Sequence, residues 1–298
     1  MTPSAPTRRA AALRRCWLFL PGADRTALLD ACSCGADVLI QELEDFTPPN
    51  QRVAAREMAG EIYSAWRAAG IVAAVRINPF ETEGRVDLAA VMRGRPEVVL
   101  MSKVAEPAQV RALDEEIGRL ERHLGIEAGS TELVPNIESA RGIMQAFAIA
   151  TASPRVTCVL GSTEDMAADL GAPRSKTGIE LSYARQRLHL ECTAARTVSV
   201  DCPYTFTDLE GCQADARYAR QIGYAAKSAV APDHVAIINR VMTPSKQEVS
   251  EARALIAAFE SARANGRERG KHGDLLVEVP TYSNAQRLLA RATALGVA

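Results

Sequence analysis

The most constraining feature of this chain is its rhythm. Eight short apolar runs, at 16–21, 37–43, 71–77, 97–103, 131–137, 155–160, 197–201 and 223–230, are each followed by a helical segment or turn. Within the runs the apolar residues are consecutive rather than alternating, as in parallel strands buried on both faces. Between them apolar positions recur at steps of three and four. In 106–124, Val110, Leu113, Ile117, Leu120 and Leu124 fall on one helix face. Eight such units in roughly 250 residues predict a (β/α)8 TIM barrel. A doubly wound open sheet would carry a glycine-rich phosphate turn after its first strand. Here Pro21-Gly22-Ala23-Asp24-Arg25 holds one glycine, so the barrel is the better fit.

The rhythm also divides the chain. Residues 1–14 read as a flexible leader, rich in arginine but without the apolar core of a secretory signal. The barrel is expected over 15–245 and an additional C-terminal helix and tail over 246–298. That tail comprises a long helix at 246–264, a polar linker at 265–273 and a second helix from Ser283. An extension of this kind packs on its own barrel or on a neighbouring subunit.

Composition excludes several function classes. Lys plus Arg number 35 against 36 Asp plus Glu, leaving no basic surplus to neutralise nucleic acid. No apolar run reaches the ~18 residues of a membrane span. The seven cysteines are odd in number and scattered, with Cys32 and Cys34 too close for a metal clamp or redox pair. They read as buried thiols of a reducing compartment, and a cytoplasmic location is expected.

In a TIM barrel chemistry sits where strands end. Those ends carry Glu42, Glu44 and Asp45, then Arg76 and Asn78, Lys103, Asn136 and Glu138, Glu164 and Asp165, Asp201, and Lys227 with Ser228. Each alone is explicable as a helix cap or salt bridge, but the set predicts a charged mouth. Isolated acids on adjacent strands suit Mg2+, a hard cation that keeps waters for a substrate to displace. No two histidines stand at i, i+4, so a zinc hydrolase is not indicated. A phosphate loop and a Gly-x-Ser-x-Gly elbow are absent as well. Lys103 lies beside acids that keep it charged, which disfavours a Schiff base.

Five motifs then stand in order: Arg15-Cys16-Trp17-Leu18-Phe19-Leu20-Pro21-Gly22, Leu43-Glu44-Asp45, Val75-Arg76-Ile77-Asn78-Pro79, Ile137-Glu138-Ser139-Ala140-Arg141-Gly142 and Glu164-Asp165-Met166-Ala167-Ala168-Asp169-Leu170-Gly171. With them the chain resembles the citrate lyase β-subunit-like proteins of the HpcH/HpaI aldolase superfamily, from Arg14 to about Pro280. The resemblance implies a TIM barrel, a homotrimer or hexamer, Mg2+, and a CoA or acyl-carrier thioester substrate. It implies carbon–carbon lyase chemistry on citryl-, malyl- or citramalyl-type thioesters. Glu138 and Asp165 match the metal ligands and Arg76 the substrate-binding arginine. Phe19, Pro21, Lys103 and Glu138 are further substrate-binding candidates. The proton-transferring carboxylate is Glu44, Asp45 or Glu278, the last in Val277-Glu278-Val279-Pro280, where relatives place an aspartate that reaches a neighbouring subunit.

The chain departs from the family pattern at several places. Glu42 replaces an aspartate, Ser139 a threonine, Ser162-Thr163 a Gly-Ala pair and Ala231 a histidine. These changes bear on substrate identity more than on metal binding. Thioester hydrolysis, malate-synthase-like chemistry and a non-catalytic ligand-binding role stand as alternatives. Joint retention of Arg76, Glu138 and Asp165 argues against the last.

Overall fold

The computed structural model describes residues 8–298. Eight parallel strands close into a barrel: β1 (Cys16–Pro21), β2 (Val38–Glu42), β3 (Val72–Ile77), β4 (Val98–Met101), β5 (Glu132–Ile137), β6 (Cys158–Gly161), β7 (Val198–Asp201) and β8 (Ala226–Ala229), with β8 pairing back onto β1. Every expected strand is present. The helices between them form where apolar periodicity and end signals agree. Pro107–Leu124 starts on a Glu106/Gln109 capping box, buries Val110, Leu113, Ile117 and Leu120, and stops at Gly125 in the left-handed conformation.

Strand alternation sorts the barrel into two cores. Trp17, Phe19, Val38, Ile40, Val72, Ala74, Val98, Leu100, Val134, Leu160, Val200 and Ala226 fill the interior. The intervening residues, among them Leu18, Leu39, Val75, Val99 and Val159, pack outward in the other core, with residues of the surrounding helices. Continuing the inward parity to the strand ends brings Glu42, Arg76, Asn136 and Glu138 to the mouth. The outward parity takes Asp201 and Lys227 away from it. These two were expected at the mouth and are not there. Fully buried Lys227 contacts Asp201 at 2.7 Å and Asp215 at 2.5 Å, while Arg185 grips Asp201 at 2.9 and 2.7 Å and Asp215 at 2.7 Å. Burial opposes the lysine charge, but the two aspartates outweigh it and raise its pKa. Ser228 points inward, yet its hydroxyl donates to the Asp201 carbonyl at 2.9 Å. Asn78, also expected at the mouth, donates to the Leu43 carbonyl and to buried Asp87.

Part of the expected leader is docked rather than free. Arg14 is buried, forks onto Glu132 at 2.6 and 2.7 Å, and lies 5.8 Å from the Trp17 ring centre. Arg8 donates to the carbonyls of Glu97 and Ser130, and Arg9 pairs with Asp37. Residues 1–7 lie outside the described set.

The chain forms two compact units, one ending at Met242 and the other running Thr243–Ala298. The second contains the helix Lys246–Ala264, opened by a Ser245/Glu248 capping box. A hairpin of β9 (Gly270–His272) and β10 (Leu275–Val277) follows, then the helix Val279–Ala294. The expected linker therefore contains a strand. The last helix starts four residues before Ser283 because Pro280 sits in its first turn, where a missing N–H costs nothing.

Candidate functional site

At the strand ends a cavity of about 550 Å³ is lined by Phe19, Asp45, Phe46, Arg76, Asn136, Leu160 and Gly161 to Asp165, with Pro203, Thr205 and Val230 closing it. Arg76 is its electrostatic centre. The side chain is 8% exposed and lies against two aromatic rings, 5.0 Å from Phe19 and 5.8 Å from Phe46. Three carboxylates surround it: Glu42 at 2.9 Å, Glu44 at 3.3 Å and Glu138 at 3.5 Å. Burial works against the guanidinium charge, but these acids outweigh it and hold its pKa above the ordinary value.

Glu138 is buried, and Asn136 Nδ2 donates to its Oε1 at 2.8 Å. Burial pushes its carboxyl up to about 8; Arg76 pulls the other way, and the charges of Asp165 and Glu44 add to the rise. Asp165, half-buried in the first turn of Glu164–Asp169, accepts from Ser162 Oγ at 3.1 Å. Neighbouring Glu164 also lines the cavity but is exposed and ion-paired with Arg174 at 3.0 Å; Arg174 also holds Glu180 and Thr205.

Three buried oxygen acceptors here lack a hydrogen-bond partner: Glu44 Oε2, Asn136 Oδ1 and Glu138 Oε2. Buried acceptors are seldom left so. Glu44 Oε2 faces Arg76 at 3.3 Å; the unmet demand of Asn136 Oδ1 and Glu138 Oε2, together with the Glu138/Asp165 carboxylate pair, fits a hard divalent cation with oxygen ligands. Among the described residues no three His, Cys, Asp or Glu side chains converge on one metal position. A two-carboxylate site that leaves positions to water and substrate is consistent with that.

The other candidates are scattered. Glu44 is buried, paired with Lys103 and Arg76; burial raises its pKa against the pull of both cations. Lys103 is 47% exposed and follows β4 in a left-handed backbone conformation (φ 56°), reaching in to Glu44 from the rim. Its pKa is raised: desolvation acts downward and the acids, led by Glu44, overcome it. Asp45 lines the cavity. Pro21 is exposed and outside the lining. Glu278 lies in the second unit, half-exposed and paired with Arg269 at 2.8 Å. Sequence reasoning missed Phe46, Leu160, Pro203, Thr205 and Val230. Strand parity was the available signal for Leu160 and Val230. The segment Pro203-Tyr204-Thr205-Phe206 carries no ionisable group apart from the Tyr204 phenol and so drew no notice.

The family profile described as HpcH/HpaI aldolase/citrate lyase matches residues 15–232. The citrate lyase subunit beta of Escherichia coli K12 is 31% identical over 299 residues, covering 100% of this chain and 99% of that protein. An L-malyl-CoA/beta-methylmalyl-CoA lyase of Cereibacter sphaeroides is 30% identical, covering 98% of this chain and 97% of its own length. Among solved structures, the protein CitE of Mycobacterium tuberculosis in complex with magnesium, acetoacetate and coenzyme A superposes with a TM-score of 0.76. It is 26% identical, and the match covers 95% of this chain and 99% of that one.

Proposed function

Because the chain belongs to the HpcH/HpaI aldolase/citrate lyase family, we propose that it is a Mg2+-dependent carbon–carbon lyase acting on 3-hydroxy-acid thioesters of the citryl, malyl or citramalyl type. The products are an acyl thioester and an α-keto acid. The observation that carries this reading is buried Arg76 and Asp165 lining one cavity, with buried Glu138 beside Arg76 at 3.5 Å and its Oε2 without a hydrogen-bond partner.

Glu138 and Asp165 would hold the metal, which when bound supplies positive charge to polarise the substrate's hydroxyl or keto oxygen and its carboxylate. Arg76 presents a rigid fork of donors to an oxyanion or carboxylate, in a buried setting that strengthens the contact. Glu44 is placed to take the hydroxyl proton: its Oε2 lies beside Arg76 at 3.3 Å without a formed hydrogen bond, and burial raises its basicity. As that proton leaves, the carbon–carbon bond breaks and its electrons pass to the thioester carbon framework as an enolate. Protonation at carbon then completes the acyl thioester. Lys103 keeps Glu44 in position and offers a second cation to the substrate. Asp45 is the alternative base on the same loop, and Phe19 supplies apolar surface to the cavity. Glu278 is proposed to act from a neighbouring subunit in a trimer or hexamer.

The relatives include lyases named for CoA thioesters, which makes CoA the first carrier to try, with an acyl-carrier protein second. Seven unpaired cysteines suit a cytoplasmic setting. No helix among the described residues is long and apolar enough to cross a membrane. The test is a panel of citryl-, malyl-, citramalyl- and methylmalyl-CoA with Mg2+, following keto-acid release. At least one should be cleaved; no release from any, in either carrier form, would overturn the reading.

A further inference from the structure

We infer that Glu42 is a positioning residue that sets the Arg76 guanidinium and the 43–47 loop together. It ends β2 on the inward parity, is fully buried, and does not itself line the cavity. Its Oε1 accepts from the Glu44 backbone N–H at 2.6 Å and from Arg76 Nε at 2.9 Å. Its Oε2 accepts from the Phe46 N–H at 2.6 Å. One side chain thus anchors two amides of the loop that carries Glu44, Asp45 and Phe46, and fixes the arginine that Glu44 and Phe46 contact. The Phe46 ring lies against that arginine at 5.8 Å and edge-on to Phe19 at 6.4 Å. A shift in Glu42 would move all of them.

The residue type follows from the donor count. Three N–H groups converge on two oxygens, so both must accept. Glutamine would turn an NH2 toward one of these donors at a position with no exposure to solvent. Aspartate keeps the charge but is one methylene shorter. From the strand end it cannot span residue 44, residue 46 and the neighbouring strand's arginine at once. The glutamate at this position is therefore what brings loop and guanidinium into one unit.

The kinetic arm of the test rests on the lyase reading; the exchange arm does not. Amide hydrogen exchange read by mass spectrometry in Glu42→Gln and in Glu42→Asp should show faster exchange within 43–47 than in the wild type, with or without any substrate. In a double-mutant cycle, Glu42→Gln should lower kcat/KM for keto-acid release on the order of tenfold or more in the wild-type background. In the Arg76→Lys background the same change should cost less than about twofold, because the two residues act as one element. A purely structural role would give equal losses in both backgrounds. If Glu42→Gln does not fold, Glu42→Asp, which retains the charge, is carried through both arms. Wild-type exchange in 43–47 for the folded variants, or equal losses in both backgrounds, overturns the proposal. A wild-type enzyme that cleaves no thioester defeats the lyase reading instead, and the exchange arm then decides Glu42 alone.

Discussion

Lys227→Met should destabilise the barrel severely while leaving its chemistry intact. In the native protein two cations, Lys227 and Arg185, balance two carboxylates, Asp201 and Asp215, with Lys227 and Asp201 at zero exposure. Removing the ammonium leaves two carboxylates on one guanidinium, a net buried negative charge. It also strips the Cys202 carbonyl of its donor at 2.5 Å. Breaking a buried pair by deleting one partner costs about 3–5 kcal/mol. For a domain of this size each kcal/mol moves the melting temperature by about 2–4 °C, so a fall of roughly 6–20 °C is expected. Urea unfolding followed by far-ultraviolet circular dichroism measures the free energy, and a thermal scan the midpoint. The double variant Lys227→Met/Asp201→Asn restores charge balance and should recover part of the loss. Since the cluster faces away from the cavity, kcat well below the melting range should stay near wild type. A Lys227→Met protein within about 1 kcal/mol of wild type, or no recovery in the double variant, would refute this reasoning.

Four further outcomes are expected. Arg76→Lys loses the bidentate fork and about 1.5–3 kcal/mol of charge-assisted hydrogen bonding, so kcat/KM should fall roughly tenfold to a hundredfold; unchanged kinetics would place Arg76 outside the mechanism. Gly22→Ala would put a Cβ 2.1 Å from the Glu42 carbonyl oxygen, forcing the β1 and β2 ends apart; a loss of about 1–3 kcal/mol in urea unfolding, with reduced turnover, is expected. Burial lowers the His189 pKa below its ordinary 6.5, although Asp201 pulls it up, so the unfolded chain takes the proton first and this contribution is lost as pH falls below 6.5; the drop in unfolding midpoint between pH 7.5 and 5 should therefore be smaller in His189→Gln. If Glu278 acts from a neighbour, mixing inactive Glu278→Ala with inactive Asp165→Ala subunits should restore partial turnover, and no recovery after confirmed subunit exchange would rule that out.

The barrel was legible because burial on both faces leaves strands as consecutive apolar runs, and all eight of those runs became strands. Direction was harder to read than position. Asp201 and Lys227 stand at strand ends like Arg76 and Glu138, yet one residue of parity turns them into the helix layer. Applying alternation from Val200 and Ala226 would have separated them. The docked leader escaped notice because Arg14 is held by Glu132, a partner 118 residues away that no local pattern reveals. Glu42 registered as one of the strand-end charges and as a departure from a motif, with no role of its own. Its three backbone and side-chain donors become visible only when the loop is folded over it.

The central claim is that Glu138 and Asp165 hold the metal on which carbon–carbon cleavage depends. Its most direct test is keto-acid release from the best thioester of the panel, measured against Mg2+ concentration for the wild type and Asp165→Ala side by side. The account predicts a saturable Mg2+ dependence in the wild type, abolished by chelator. Asp165→Ala should be silent at every Mg2+ concentration, with an unfolding curve like the wild type's. A folded Asp165→Ala that still releases keto acid with the wild-type Mg2+ response would contradict it.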